Sequence, residues 1–207
     1  MANGDFPIRA ALGFRPHSGW AALVAVAGTP RAPQILDRRR IDIADREIDG
    51  SLQPYHAAEE RQLADARKYL ERCERHSRRL AREALRDAIH DLQGNGVDAI
   101  SCGLLLASGR PLPALTEILA SHALIHAADG EHFREAIRAA ASELGLPVVA
   151  VKEKEIWARA SGEMRIPTAE LQQLVSSMRK AFGPPWTQDQ KLAALSAWLA
   201  IACESYP

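Results

Sequence analysis

The densest set of chemically able side chains lies in the stretch HALIHAADGEH, from His122 to His132. His122 and His126 share a face in either a helix or a strand. With Asp129 or Glu131 they could form a His/carboxylate metal site, which is borderline-metal chemistry of the zinc kind. The same groups could serve as general acids and bases. His122 and His126 are therefore the metal candidates, and His126, Asp129 and Glu131 the catalytic ones. The spacing matches no established zinc motif, and H-E-x-x-H is absent. A purely local role is the alternative. In it Asp129 caps a helix, Glu131 sits in the dipole-favoured first turn, and the histidines hydrogen-bond at a strand–helix junction.

A second polar group, Arg15 and His17, falls in the turn Pro16-His17-Ser18-Gly19 between two apolar runs. There it could bind an anion, phosphate included, or pair with a carboxylate such as Glu155. A third feature is a stripe of cations, Lys68, Arg72, Arg75, Arg79, Arg82 and Arg86, on one side of a long helical segment. Its sign suits a phosphate track. A solvated helix face is also charged as a rule, and Glu71, Glu74 and Glu83 border this one. Asp189 follows Thr187 at the start of the last helix, where a negative charge favours the helix dipole. Cys102 reads as a small core residue rather than a nucleophile. There is no Walker A motif, no GxGxxG and no G-x-S-x-G elbow.

The bulk composition narrows the classes. The 207 residues carry 26 Lys+Arg against 26 Asp+Glu, so there is no global attraction to nucleic acid or to an anionic membrane. Three widely spaced cysteines and the absence of an apolar leader in MANGDFPIRA suit free thiols in a reducing, cytoplasmic setting. No apolar run approaches the ~20 residues that span a bilayer, so no membrane partner is expected.

The elements that must position these groups follow from periodicity and punctuation. Residues 1–7 form a polar lead-in. Ile8–Phe14 and Trp20–Ala27 read as strands covered on both faces. The Gly28–Pro33 stretch is a turn. Gln34–Ile43 is a charged edge strand whose Arg38, Arg39 and Arg40 guard the edge. A long helix runs from about Ala57 to Leu92, with Leu63, Ala66, Leu70, Cys73, Ser77, Leu80, Ala84 and Ala88 as its apolar stripe. Val97–Leu106 is an internal strand, followed by a short helix near Ala114–Ala120. His122–Ala127 reads as a short strand or an irregular segment. A helix from Gly130 to Leu144, capped by Asp129, ends at Gly145-Leu146-Pro147 in the Schellman manner. Pro147–Val151 is a fifth strand, Glu153–Ala160 a short helix, and Ser161–Ile166 a loop. Thr168 caps a helix to about Phe182. Thr187 and Gln190 form a capping box for a last helix, apolar on nearly every side and hence buried.

This order of elements resembles the ribonuclease H-like fold. The resemblance implies an α/β five-stranded mixed sheet of order 3-2-1-4-5, its first three strands antiparallel, flanked by helices, one of them long. Within that fold Leu12-Gly13-Phe14-Arg15-Pro16-His17-Ser18-Gly19-Trp20 is similar to the first-strand motif of RuvC-type Holliday-junction resolvases, L-G-I-D-P-G-S followed by G-[YW]. Ala99-Ile100-Ser101 resembles the A-I-E of that family's fourth strand, and Asp189–Leu199 its closing helix. The family implies two divalent cations held by carboxylates from these motifs. Here Arg15 stands in place of the first Asp, Ser101 in place of the Glu, and Leu192 in place of the second acid on the closing helix. Asp189 alone is retained. An arginine cannot ligate a cation and repels one.

One domain over 1–207 is expected, with an antiparallel part at 8–43, the long helix at 57–93, a βαβ part at 97–160 and closing helices at 168–207. The reading is a ribonuclease H-like module that has lost the two-metal nuclease site and binds nucleic acid or protein. Arg15 and His17 would be its anion site, and Arg75, Arg79, Arg82 and Arg86 its phosphate track. The alternatives are a nuclease or other hydrolase with a site relocated to the His122–His132 cluster, its catalytic candidates being His126, Asp129 and Glu131 with Asp189 besides, and a structural homodimer. No cofactor is expected for the first; a divalent metal would serve the second.

Overall fold

In the computed structural model, residues 7–29, 31–107 and 109–205 are described; the polar lead-in over 1–6 lies outside them. Five strands form one sheet: β1 (Ile8–His17), β2 (Trp20–Thr29), β3 (Ala32–Asp42), β4 (Val97–Leu106) and β5 (Val148–Lys152). Their order is β3-β2-β1-β4-β5, with β1 central. β1 pairs antiparallel with β2, and β2 with β3. β4 runs parallel to β1, and β5 to β4. This is the ribonuclease H-like sheet that the element order predicts.

Helices cover both faces because β1, β2 and β4 are apolar on both. Ala10, Leu12 and Phe14 pack with α2 (Leu63–Gln93) and α4 (His122–Glu143) on one side. Ala11, Val24 and Val26 pack with α5 (Ile156–Met164), α6 (Thr168–Ser177) and α8 (Gln188–Ser205) on the other. The remaining helices are the short α1 (Pro54–Ala58), α3 (Leu115–Leu119) and α7 (Arg179–Phe182). Among the described residues, no helix is long and apolar enough to cross a membrane.

Five local expectations need correction. The long helix does not run unbroken from Ala57: residues 59–62 separate α1 from α2. Its buried stripe drifts by one residue in the second half. Ala81 and Leu85 are buried, Leu80 and Ala84 only half so, and Leu63 is exposed. Most of the expected positions repeat every seven residues, and that 3.5-residue period drifts against the 3.6-residue turn of a helix 31 residues long. His122–Ala127 is neither strand nor irregular but the first part of α4, which runs through Asp129 and Gly130. Glu153–Glu155 is a single 3₁₀ turn, and α5 continues through the expected loop to Met164. Pro167, not Thr168, occupies the N-cap of α6.

Two expected terminators are present. Leu146 N–H donates to the Ala141 carbonyl at 2.9 Å and Gly145 N–H to that of Ser142 at 3.0 Å, with Gly145 at φ +73°, which is the Schellman pattern. Thr187 N–H donates to Gln190 Oε1 at 3.0 Å, and Gln190 N–H to Thr187 Oγ1 at 3.4 Å, closing the capping box. The edge arginines are all engaged. Arg38 donates to the carbonyls of Phe182 and Gly183 at 3.1 Å each, tying edge strand β3 to the segment before α8. Arg39 pairs with Asp37 and Asp91, and Arg40 lies over the Trp20 ring.

α8 sits unusually close to the sheet, and two paired glycines allow it. Gly13 on β1 and Gly103 on β4 are register partners. A Cβ on Gly13 would lie 1.9 Å from the Ala193 carbonyl oxygen, and one on Gly103 would lie 2.0 Å from that of Ser196. Both obstacles are helix backbone, which cannot rotate away. Gly103→Ala is therefore expected to destabilise the fold by ~3 kcal/mol. Urea unfolding measures it; a midpoint equal to that of the parent protein would refute this account of the contact.

Candidate functional site

The open end of the central strand is set by three elements. Odd-numbered β1 residues face α8, so Arg15 projects to the same side as Ala11 and Gly13. β5 ends at Lys152, so Glu153 emerges beside it. The capping box starts α8 at Gln188, which delivers Asp189 from above.

These three groups meet. The Arg15 guanidinium holds Glu153 in a fork: Nε donates to Oε2 at 2.9 Å and Nη2 to Oε1 at 2.8 Å. Its Nη1 donates to Asp189 Oδ1. His17 Nε2 lies 2.8 Å from the same Asp189 oxygen and 3.2 Å from Arg15 Nη1. Carboxylate oxygen accepts only and guanidinium nitrogen donates only, so one Nε2 cannot bond both. With the proton on Nε2 it donates to Asp189. The His17 ring is stacked on Trp20 at 4.3 Å, which fixes its plane.

The electrostatics are those of a closed ion-pair network. The Glu153 hydrogen bonds raise the Arg15 pKa against the opposing effect of burial. The Arg15 hydrogen bonds in turn hold Glu153 below the usual carboxylate range. Burial pushes Asp189 upward, but hydrogen bonds from His17 and Arg15 outweigh it and leave the pKa lowered. Glu155, the carboxylate expected beside Arg15, instead pairs with Lys152 at 3.6 Å. Arg15 and His17, read as an anion site, have their donors on this chain's own acids. Asp189 is an ion-pair partner, beyond its place in the first turn.

No third carboxylate arrives from β4. Ser101, at the place the resemblance gives to an acid, pairs in register with Ala11, and Phe14 pairs with Leu104. The β4 residue level with Arg15 is thus Leu105, four residues further on, or ~13 Å along the strand. Ser101 is fully buried, and its hydroxyl has no partner among the described residues. Beyond Leu105 come Leu106 and Ala107, which bring no acid to the mouth. Two divalent cations ~4 Å apart need several anionic oxygens around them. This mouth offers Glu153 and Asp189, both already bound to a fixed cation, so the donor set does not fit the pair.

The His122–His132 stretch divides in two. Asp129 is 2% exposed in the interior of α4 and caps nothing. It accepts from Tyr55 N–H at 2.7 Å and from His56 Nδ1 at 2.5 Å. His122 and His126 stand on the exposed side of the same helix, their Nε2 atoms 3.0 Å apart. His132 turns inward to the Ser77 hydroxyl at 3.0 Å, and burial, with Arg78 nearby, drives its pKa down to about 4. Glu131 acts on Arg134 by charge. The catalytic candidates His126, Asp129, Glu131 and Asp189 do not converge, since Asp189 belongs to α8 on the opposite face of the sheet. His56 carried no signal in the sequence. Cys102 is buried, which pushes its thiol up to about 12, out of the range of a nucleophile.

On the basic side of α2, three of the six expected cations have carboxylate partners. Arg79 pairs with Glu83 at 2.9 Å and Arg82 with Glu143 at 3.1 Å, and Lys68 lies 4.0 Å from Asp65. Arg72, Arg75 and Arg86 are exposed and make no ion pair among the described residues.

No protein-family model matches the chain, and no curated protein does. Solved structures do. RuvC of T. thermophilus in complex with Holliday junction substrate superposes with a TM-score of 0.55 at 11% identity, covering 95% of either chain. A second Thermus thermophilus RuvC structure gives 0.54 at 12% identity, again over 95% of each. The likeness is one of fold, and it extends along nearly the whole chain.

Arg15→Ala leaves two neighbouring carboxylates without their cation. It is expected to cost about 1–3 kcal/mol in urea unfolding and to create measurable Mn²⁺ binding in calorimetry where the parent protein has little. Equal Mn²⁺ affinity in both proteins would refute the exclusion. His132 makes a separate prediction. Its folded pKa of about 4 lies below the ordinary 6.5 of the unfolded chain, so its contribution is complete above pH 6.5. That contribution is lost as pH falls toward 4, at up to about 1.4 kcal/mol per pH unit. Urea midpoints at pH 7 and pH 5 should fall further for the parent protein than for His132→Gln; parallel declines would contradict it.

Proposed function

We propose that this chain is a non-catalytic ribonuclease H-like module that binds duplex or branched nucleic acid through the basic side of α2. The carrying observation is the Arg15 guanidinium, which takes up both carboxylates at the mouth of the sheet, Glu153 and Asp189. A fixed monovalent cation there leaves no ligand set for the metal ions on which strand cleavage by this fold would depend. The binding half of the reading is supported by Arg72, Arg75 and Arg86, exposed and unpaired along α2. It is supported too by the RuvC structure of the same fold, which holds a Holliday junction. With aromatic side chains at 5% of the chain, the chemistry favours backbone phosphate over stacked bases.

The test is fluorescence anisotropy with linear duplex and four-way-junction DNA over a salt series, followed by incubation with Mg²⁺ or Mn²⁺. Three phosphate contacts predict a log–log salt slope of about −2.7. Arg75→Glu with Arg86→Glu should weaken binding at least tenfold. Arg82 is the poorer choice because Glu143 already neutralises it. Cleavage lost in Asp189→Asn would overturn the non-catalytic reading. No binding to either DNA at low salt would overturn the nucleic-acid reading and leave a protein as the partner.

A further inference from the structure

Three of the chain's seven histidines converge on the side of the sheet away from Arg15. His56 comes from α1, and His122 and His126 from successive turns of α4. One nitrogen from each ring lies within 4.8 Å of the other two. The His126 ring centroid is 4.4 Å from that of His56 and 4.5 Å from that of His122. The Nε2 atoms of His122 and His126 are 3.0 Å apart. Tetrahedral zinc with Zn–N bonds of ~2.0–2.1 Å needs neighbouring nitrogens ~3.3 Å apart.

We infer that His56, His122 and His126 bind a divalent ion of the zinc class, with Asp129 orienting His56. Asp129 is the independent observation. A carboxylate 2% exposed inside an apolar helix face is costly unless its oxygens are used. One accepts from the Tyr55 backbone N–H and the other from His56 Nδ1. The carboxylate can only accept, so Nδ1 carries the proton and Nε2 of His56 keeps its lone pair. A carboxylate behind a histidine, fixing its tautomer and raising its basicity, is the second layer of many metal sites. An all-imidazole set suits Zn²⁺, Ni²⁺, Cu²⁺ or Co²⁺ and not Mg²⁺ or Ca²⁺, which take oxygen ligands. His122 and His126 are exposed, so the ion would keep a position open to solvent. It would also clip α1 to the first turns of α4.

The experiment uses the full chain, stripped of metal by chelator dialysis and titrated with Zn²⁺ in calorimetry. The expected result is one equivalent bound at micromolar Kd or tighter, with a rise in Tm, and no response to Mg²⁺. His122→Ala with His126→Ala should remove that equivalent. Both side chains are exposed, so the variant should retain the parent circular dichroism spectrum. Asp129→Asn should weaken binding 10–100-fold while keeping the stoichiometry. If that buried change prevents folding, His56→Gln serves instead, with loss of the equivalent expected. Zn²⁺ binding equal in the parent and the double variant, or no one-equivalent binding by the parent, would overturn the site. Neither result bears on the DNA experiment.

Discussion

The contact on which the rest of this structure depends is the backbone-to-backbone approach of α8 to the middle of the sheet. Only side chains with almost no bulk face one another there: Gly13 and Gly103 beneath, Ala193, Ser196 and Ala197 above. The helix is buried around its circumference from Leu192 to Ala202, so it is fixed from both sides. In this layer the Ser101 hydroxyl and Trp198 Nε1 are buried without protein hydrogen-bond partners among the described residues. Each such orphan costs ~1–3 kcal/mol, which apolar burial in the same layer must exceed. Once α8 is seated, the position of its first turn is no longer free, and Asp189 must arrive at the end of β1.

What meets Asp189 there decides the chemistry. A hard divalent cation and a guanidinium both satisfy carboxylates, but differently. The metal is exchangeable and leaves coordination positions for a substrate oxygen. The guanidinium is covalently part of the chain, carries a single charge, and spends its directional donors on the acids themselves. Arg15 uses three of its five N–H groups on Glu153 and Asp189. The two-carboxylate, one-guanidinium group is held together by its own charges and has little left to offer a reacting phosphate.

Much of this was legible from residue order. Apolar runs and turn residues mark the strands, and the resemblance of their order to the ribonuclease H-like fold implies the sheet order and strand directions that the structure has. Gly145 and the Thr187–Gln190 pair mark helix ends through backbone chemistry that acts within a few residues. The misreadings came where distant contacts overrode such local rules. Asp129-Gly130 has the look of a helix start, since Asp is a good N-cap and Gly a poor interior residue. Tyr55 N–H and His56, more than seventy residues away, supply Asp129 with partners, and the helix continues through it. Glu153 replaced Glu155 beside Arg15 because the choice turns on the residue at which β5 ends. A three-residue match carries no information on how far along β4 it lies, and Ser101 pairs with Ala11, four residues short of the level of Arg15.

The two polar clusters differ in how their hydrogen-bonding capacity is used. Around Arg15, each carboxylate has partners on the chain itself: Glu153 the guanidinium, Asp189 the guanidinium and the His17 imidazole. Around His56 the count does not balance. Each neutral imidazole has one lone-pair nitrogen, and Asp129 fixes which nitrogen that is in His56. The 3.0 Å contact between His122 and His126 can use one lone pair at most, because a single proton sits between the two nitrogens. Three rings held together thus retain unused acceptors within 4.8 Å of one another, and Asp129, which also accepts from Tyr55 N–H, holds one of the rings. A surplus of lone pairs is what a cation consumes, and this one lies on the α1–α4 side of the sheet, on the face away from Arg15.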